Sequence, residues 1–111
     1  MKFLVELDRP NSGVPMTNDA ARLFMDSVIL PTLARGEQLA KDGFVLAGGP
    51  VAGSVSLRLI VQVESAAQLD ELLTSIPLWA VAETKVTPLI EFSDRRAHVL
   101  TLLQHVTPPG A

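Results

Sequence analysis

Val55-Ser56-Leu57-Arg58-Leu59-Ile60-Val61-Gln62-Val63 is the stretch on which the fold turns. Val55, Leu57, Leu59, Val61 and Val63 fall on one face; Ser56, Arg58, Ile60 and Gln62 fall on the other. A period of two is that of a strand with one buried face. Directly after it, Ser65-Ala66-Ala67-Gln68 has the form of a capping box, in which hydroxyl and carboxamide satisfy free N–H groups of the first turn. Leu69, Leu72, Leu73 and Ile76 then recur at helical spacing until Pro77 stops the helix.

Working outward, Lys85 to Phe92 reads as the last strand. Pro88 has no N–H to give a neighbour, so this strand belongs at an edge or carries a bulge. Upstream, Phe44 to Ala47 is a short strand, expected to break at Gly48-Gly49-Pro50. Met1 to Leu7 alternates, with Phe3, Val5 and Leu7 opposite Lys2, Leu4 and Glu6. Asp8 to Met16 is a loop. Thr17 or Asn18 caps the first helix, which uses Leu23, Phe24, Val28 and Leu30. Pro31 has no N–H for the carbonyl of Ser27, so a kink is expected there, with the helix resuming from Leu33 to Lys41. Gly43 ends it in a left-handed conformation. Ser93 or Asp94 starts a final helix carrying Val99, Leu100, Leu102, Leu103 and Val106, and Thr107 to Ala111 is a frayed tail.

The order βαββαβ plus a helix defines an α+β, ferredoxin-like fold. Two right-handed split βαβ units interleave into a four-stranded antiparallel sheet in the order four, one, three, two, with both main helices on one face. One domain spans residues 1–107, with a tail at 108–111. The other face carries Leu4 and Ile60 beside Lys2, Glu6 and Arg58, and a second copy of the sheet is the expected cover. The bulk composition agrees: of 111 residues, 48% are hydrophobic, and mean hydropathy is +0.33. That is more apolar surface than a small lone domain readily hides.

A net charge of −3 and a pI near 5.2 argue against a nucleic-acid partner, since phosphate binding needs a basic stripe. With no cysteine there is no thiolate chemistry and no Cys-based metal site. The N-terminus has no signal-peptide pattern and no apolar run reaches a membrane span. A cytoplasmic protein with no membrane partner is the expectation.

Val63-Glu64-Ser65, Leu69, Glu71-Leu72-Leu73, Pro77-Leu78-Trp79 and Val86-Thr87-Pro88-Leu89 together resemble the muconolactone isomerase family, at the family's spacing from the third strand into the fourth. The resemblance implies a dimeric α+β barrel of two sheets face to face. It also implies cofactor-free isomerisation of a butenolide, a proton leaving one ring carbon and returning at another. The family's first strand carries a His and an Arg where this chain has Leu4 and Glu6. Its second strand carries Trp, Arg and His where this chain has Val45-Leu46-Ala47, and a Glu of its first helix falls near Thr32. The frame matches while the polar lining differs.

Glu6 is the leading acid–base candidate, because alternation points it into the cavity between sheets; the competing reading is a salt bridge to Arg58 or Lys2. Arg58, on the same face of the neighbouring strand, suits an enolate or carboxylate oxygen, or simply neutralises Glu6. Lys2 and Lys85 read as solvated strand-end charges. His98 is the rival general base, although a surface or packing role is the commoner one for such a residue. His98 and His105 lie seven apart without an acidic companion, a poor metal site. Gly48-Gly49-Pro50-Val51-Ala52-Gly53 leads into a strand and not a helix, so it is no phosphate loop. Three functions remain open: a proton-transfer isomerase of an unsaturated lactone, a tailoring enzyme or cyclase using an apolar cavity, and a non-catalytic binding or assembly dimer.

Overall fold

The computed structural model describes residues 1–10 and 13–110; Asn11 and Ser12 of the expected loop, and Ala111 of the tail, lie outside the described residues. The elements run β1 (Lys2–Asp8), α1 (Asn18–Phe24), a π-helical turn (Met25–Ile29), α2 (Leu30–Lys41), β2 (Val45–Pro50), β3 (Ser56–Gln62), α3 (Ala66–Thr74), a 3-10 turn (Pro77–Val81), β4 (Glu83–Leu89) and α4 (Phe92–Leu103). The four strands form one antiparallel sheet in the order β2-β3-β1-β4, as the sequence predicts. Pro88 sits on edge strand β4, where its missing donor costs no ladder bond on the outer side. No helix is long and apolar enough to cross a membrane among the described residues.

One sheet face builds the core. Phe3, Val5 and Leu7 of β1 and Leu57, Leu59 and Val61 of β3 are buried against Leu39 of α2, Leu69, Leu72 and Leu73 of α3, and Ile76 and Leu78 after it. Each such side chain contributes about 1.5–3 kcal/mol by leaving water. Thr32 is the one buried polar residue described in this core. Its Oγ1 accepts from the N–H of Leu78 at 3.0 Å and ties α2 to the 3-10 turn.

Caps form close to expectation. Thr17 Oγ1 accepts from the N–H of Ala20, and Ser65 Oγ accepts from the N–H of Gln68. The Gln68 side chain reaches back to the N–H of Glu64, one residue earlier than the usual box. At Pro31 the first helix does run on, with right-handed helical dihedrals on both sides. The disturbance takes the form of a widened turn just before the proline, where the N–H of Leu30 bonds the carbonyl of Met25. Inserting a residue is one established way to accommodate a lost helical donor.

Three sequence expectations are corrected. Gly48-Gly49-Pro50 does not end β2; the strand continues to Pro50, with a bulge between Val45 and Ala47. Glycine allows this, because Gly48 has φ +107° and a Cβ there would collide with the carbonyl oxygen of Arg58. β4 starts at Glu83 and stops at Leu89, and Phe92 opens α4. The N-cap of α4 is Glu91, and Asp94 supports it from the first turn by accepting the Glu91 N–H. Helix α4 itself buries none of its residues. It projects from the body, so the chain measures 72 × 33 × 22 Å.

Candidate functional site on the open sheet face

The alternation that buries Phe3, Val5 and Leu7 turns Lys2, Leu4, Glu6 and Asp8 to the opposite face. Antiparallel register then sets Glu6 beside Arg58 on one side and beside Lys85 on the other. Asp8 stands opposite Ser56. Cross-strand neighbours in such pairs are within side-chain reach, and four charges meet.

Arg58 is the hub. Its Nε lies 3.3 Å from Glu6 Oε1. Its Nη1 and Nη2 donate to the two oxygens of Asp8 at 3.0 and 3.2 Å, the planar fork meeting a carboxylate in bidentate fashion. Nη1 also donates to the carbonyl of Leu57 at 2.9 Å. The second Glu6 oxygen faces Lys85 Nζ at 3.9 Å. The Glu6 side chain is 24% exposed and that of Lys85 77%. Glu6 therefore has one oxygen ion-paired with Arg58 and one near the exposed Lys85, and neither contact is a close hydrogen bond. Hydrogen bonds from Ser56 and then Arg58 hold the Asp8 carboxyl below its ordinary value. Asp8 is thus a fixed anion that neutralises Arg58, while Glu6 is the less constrained carboxylate.

The sequence-derived pair Glu6 and Arg58 is brought together. His98 is not part of this cluster; it lies exposed on the projecting α4. Lys2 pairs with Glu91 at 3.0 Å. Sequence reading missed Asp8 by ending the strand at Leu7, although the alternation Lys2, Leu4, Glu6, Asp8 runs on one step. It missed Lys85 by starting β4 there, which made a mid-strand residue look terminal.

A second concavity lies on the helix side, between α2 and the strands β2 and β3. One part, about 320 Å³, is lined by Leu33, Gly36, Val45, Gly48, Pro50 and Leu57 among others. A neighbouring part of about 450 Å³ shares Thr32, Leu33, Pro50 and Leu57 and adds Met25, Ile29 and Val55. This groove is largely apolar, with Glu37 on one wall and Arg9 at the far end.

A ferredoxin-like α+β domain with two carboxylates and two cations clustered on its unpacked sheet face defines the class. A model of the muconolactone delta-isomerase family matches residues 1–95, and the chain belongs to that family. Among solved structures, the chain is similar to muconolactone isomerase, whose crystal structure was determined at 3.3 Å resolution. The two share 20% identity over 82% of this chain and 90% of that one, with a TM-score of 0.65, which shows the shared fold. No curated protein matches.

Proposed function

We propose that the protein is a cofactor-independent isomerase that shifts a double bond in an unsaturated lactone or a related acidic cyclic metabolite, using Glu6 to carry the proton. The observation that carries this reading is the position of Glu6. It is a half-buried carboxylate on the open face, with Arg58 on one oxygen and Lys85 near the other. The family's chemistry at the level of a lactone isomerase supports it.

In this scheme Glu6 takes the acidic proton from a ring carbon at one end of the conjugated system. The electron pair delocalises into an enolate, whose charge is stabilised by the adjacent cations. Protonated Glu6 then returns the proton to the far carbon of the conjugated system, so no other reactant is consumed. Lys85 is the freer cation and suits a substrate carboxylate. Arg58, saturated by Asp8 and Glu6, holds Glu6 in place and contributes its charge. Two copies packed by their open faces would exclude water from this cluster, which strengthens each of these interactions.

The test is turnover of muconolactone and simple butenolides by three variants. Glu6→Gln should lose roughly a hundred- to ten-thousand-fold in rate, the usual cost of removing a general base, with the assembly intact. Arg58→Lys should also be impaired, because a point charge cannot span Glu6 and Asp8 as the fork does. His98→Ala should retain activity. Full activity of Glu6→Gln with loss in His98→Ala would move the chemistry to α4.

A further inference from the structure

Helix α4 is a problem for a water-soluble protomer. Its root is fixed: Lys2 holds Glu91, Asp94 caps the first turn, and the helix then leaves the body. The radius of gyration is 19.4 Å, against about 13 Å for a compact domain of about 100 residues. Phe92, Val99 and Leu103 recur at intervals of seven and four, so they share one face, continued by Val106 in the turn beyond. Phe92 is 94% exposed, and Leu100, Leu102, Leu103 and Val106 are each about half exposed or more. Asp94, His98, Thr101 and His105 occupy the opposite face. Together these residues form an exposed apolar stripe of the kind that marks an interaction surface.

The same protomer carries the unfilled apolar groove beside α2. We infer that α4 is an exchanged arm: its apolar face seats in the α2–β2 groove of a second copy of this chain, while that copy's arm fills the first. Several observations point to a second copy as the occupant. Arm and groove are both apolar, and each protomer carries one of each, so a two-fold exchange satisfies both at once. A symmetric exchange covers two arms and two grooves at once, twice what a single docking would bury. Charge complementarity lies at the α2 end of the groove, where Glu37 stands; Arg9 lines the far end, over the Phe24 ring. Arg95 and Arg96 flank the arm's apolar face, and neither they nor Glu37 makes an ion pair among the described residues. The family match ends at Arg95, in the first turn of α4, so most of the arm lies beyond the matched residues. Seated this way, the arm turns His98 and His105 away from the groove.

The chain has no cysteine, so Thr101→Cys creates a single attachment point on the arm's polar face. A nitroxide is placed there in unlabelled protein, which is co-refolded with ¹⁵N-labelled natural protein. Broadening of the Leu33, Gly36, Gly48 and Leu57 amides of the labelled copy is expected. The same broadening should vanish when the nitroxide-bearing chain also carries Leu103→Asp. Broadening at the α4 amides, broadening at the open-face residues Leu4 and Ile60 without the groove, or no intermolecular broadening would each overturn the exchange. Neither result depends on whether Glu6 is catalytic.

Discussion

Asp8 and Glu6 are two residues apart on one strand, yet the fold gives them different work. Asp8 takes both Nη groups of Arg58 and a hydrogen bond from Ser56, so its charged form is the one the native state favours. Its folded pKa lies below the ordinary 3.8. The resulting stability is fully present above that ordinary value and is lost as pH falls through the depressed folded value. Ser56→Ala removes the larger cause, so the Asp8 midpoint should rise toward its ordinary position. A carboxyl-carbon NMR titration reads this, and an unmoved midpoint would contradict it. A second single-residue dependence lies at Thr32. Thr32→Val keeps the shape but leaves the buried N–H of Leu78 unpaired, which should cost about 1–3 kcal/mol. Urea unfolding measures it, and a change well under 1 kcal/mol would mean that Leu78 finds another acceptor.

At the scale of elements, β2 depends on one position. Gly48 adopts a conformation that side chains avoid and backs directly onto the carbonyl of Arg58. Gly48→Ala should therefore destabilise by about 1–3 kcal/mol from backbone strain alone, and by more through the collision. A melting temperature equal to that of the natural protein would show that the strand can move aside. This is also where the limits of sequence reading are clearest. The alternation of β1 and β3 was legible because one face of each meets a core, and from it came the sheet order and the pairing of Glu6 with Arg58. Gly48-Gly49-Pro50 has turn composition, and nothing local distinguishes a break from a bulged edge strand whose glycine lets two backbones meet. The bounds of β4 were misjudged because Pro88 and the exposed Val86 blur its pattern, and Lys85 was lost with them. Leucines at helical spacing in α4 implied packing but could not say that its own domain provides none.

At the scale of the whole molecule, two features lack cover in a single protomer: the open sheet face with its charged cluster, and the arm with its apolar side. Sedimentation at micromolar concentration should give dimers or larger assemblies with no folded monomer, since the interface would exceed about 2,000 Å². A stable monomer would remove the barrel that the proposed chemistry requires. That proposal rests on Glu6 carrying a proton between two carbons of one ring. Its most direct test is NMR of an unsaturated lactone deuterated at its acidic ring carbon, incubated in H₂O with the natural protein or with Glu6→Gln. The account predicts migration of the double bond with deuterium carried to the other ring carbon, slowed by roughly a hundred- to ten-thousand-fold in Glu6→Gln. Equal rates in the two proteins would contradict it.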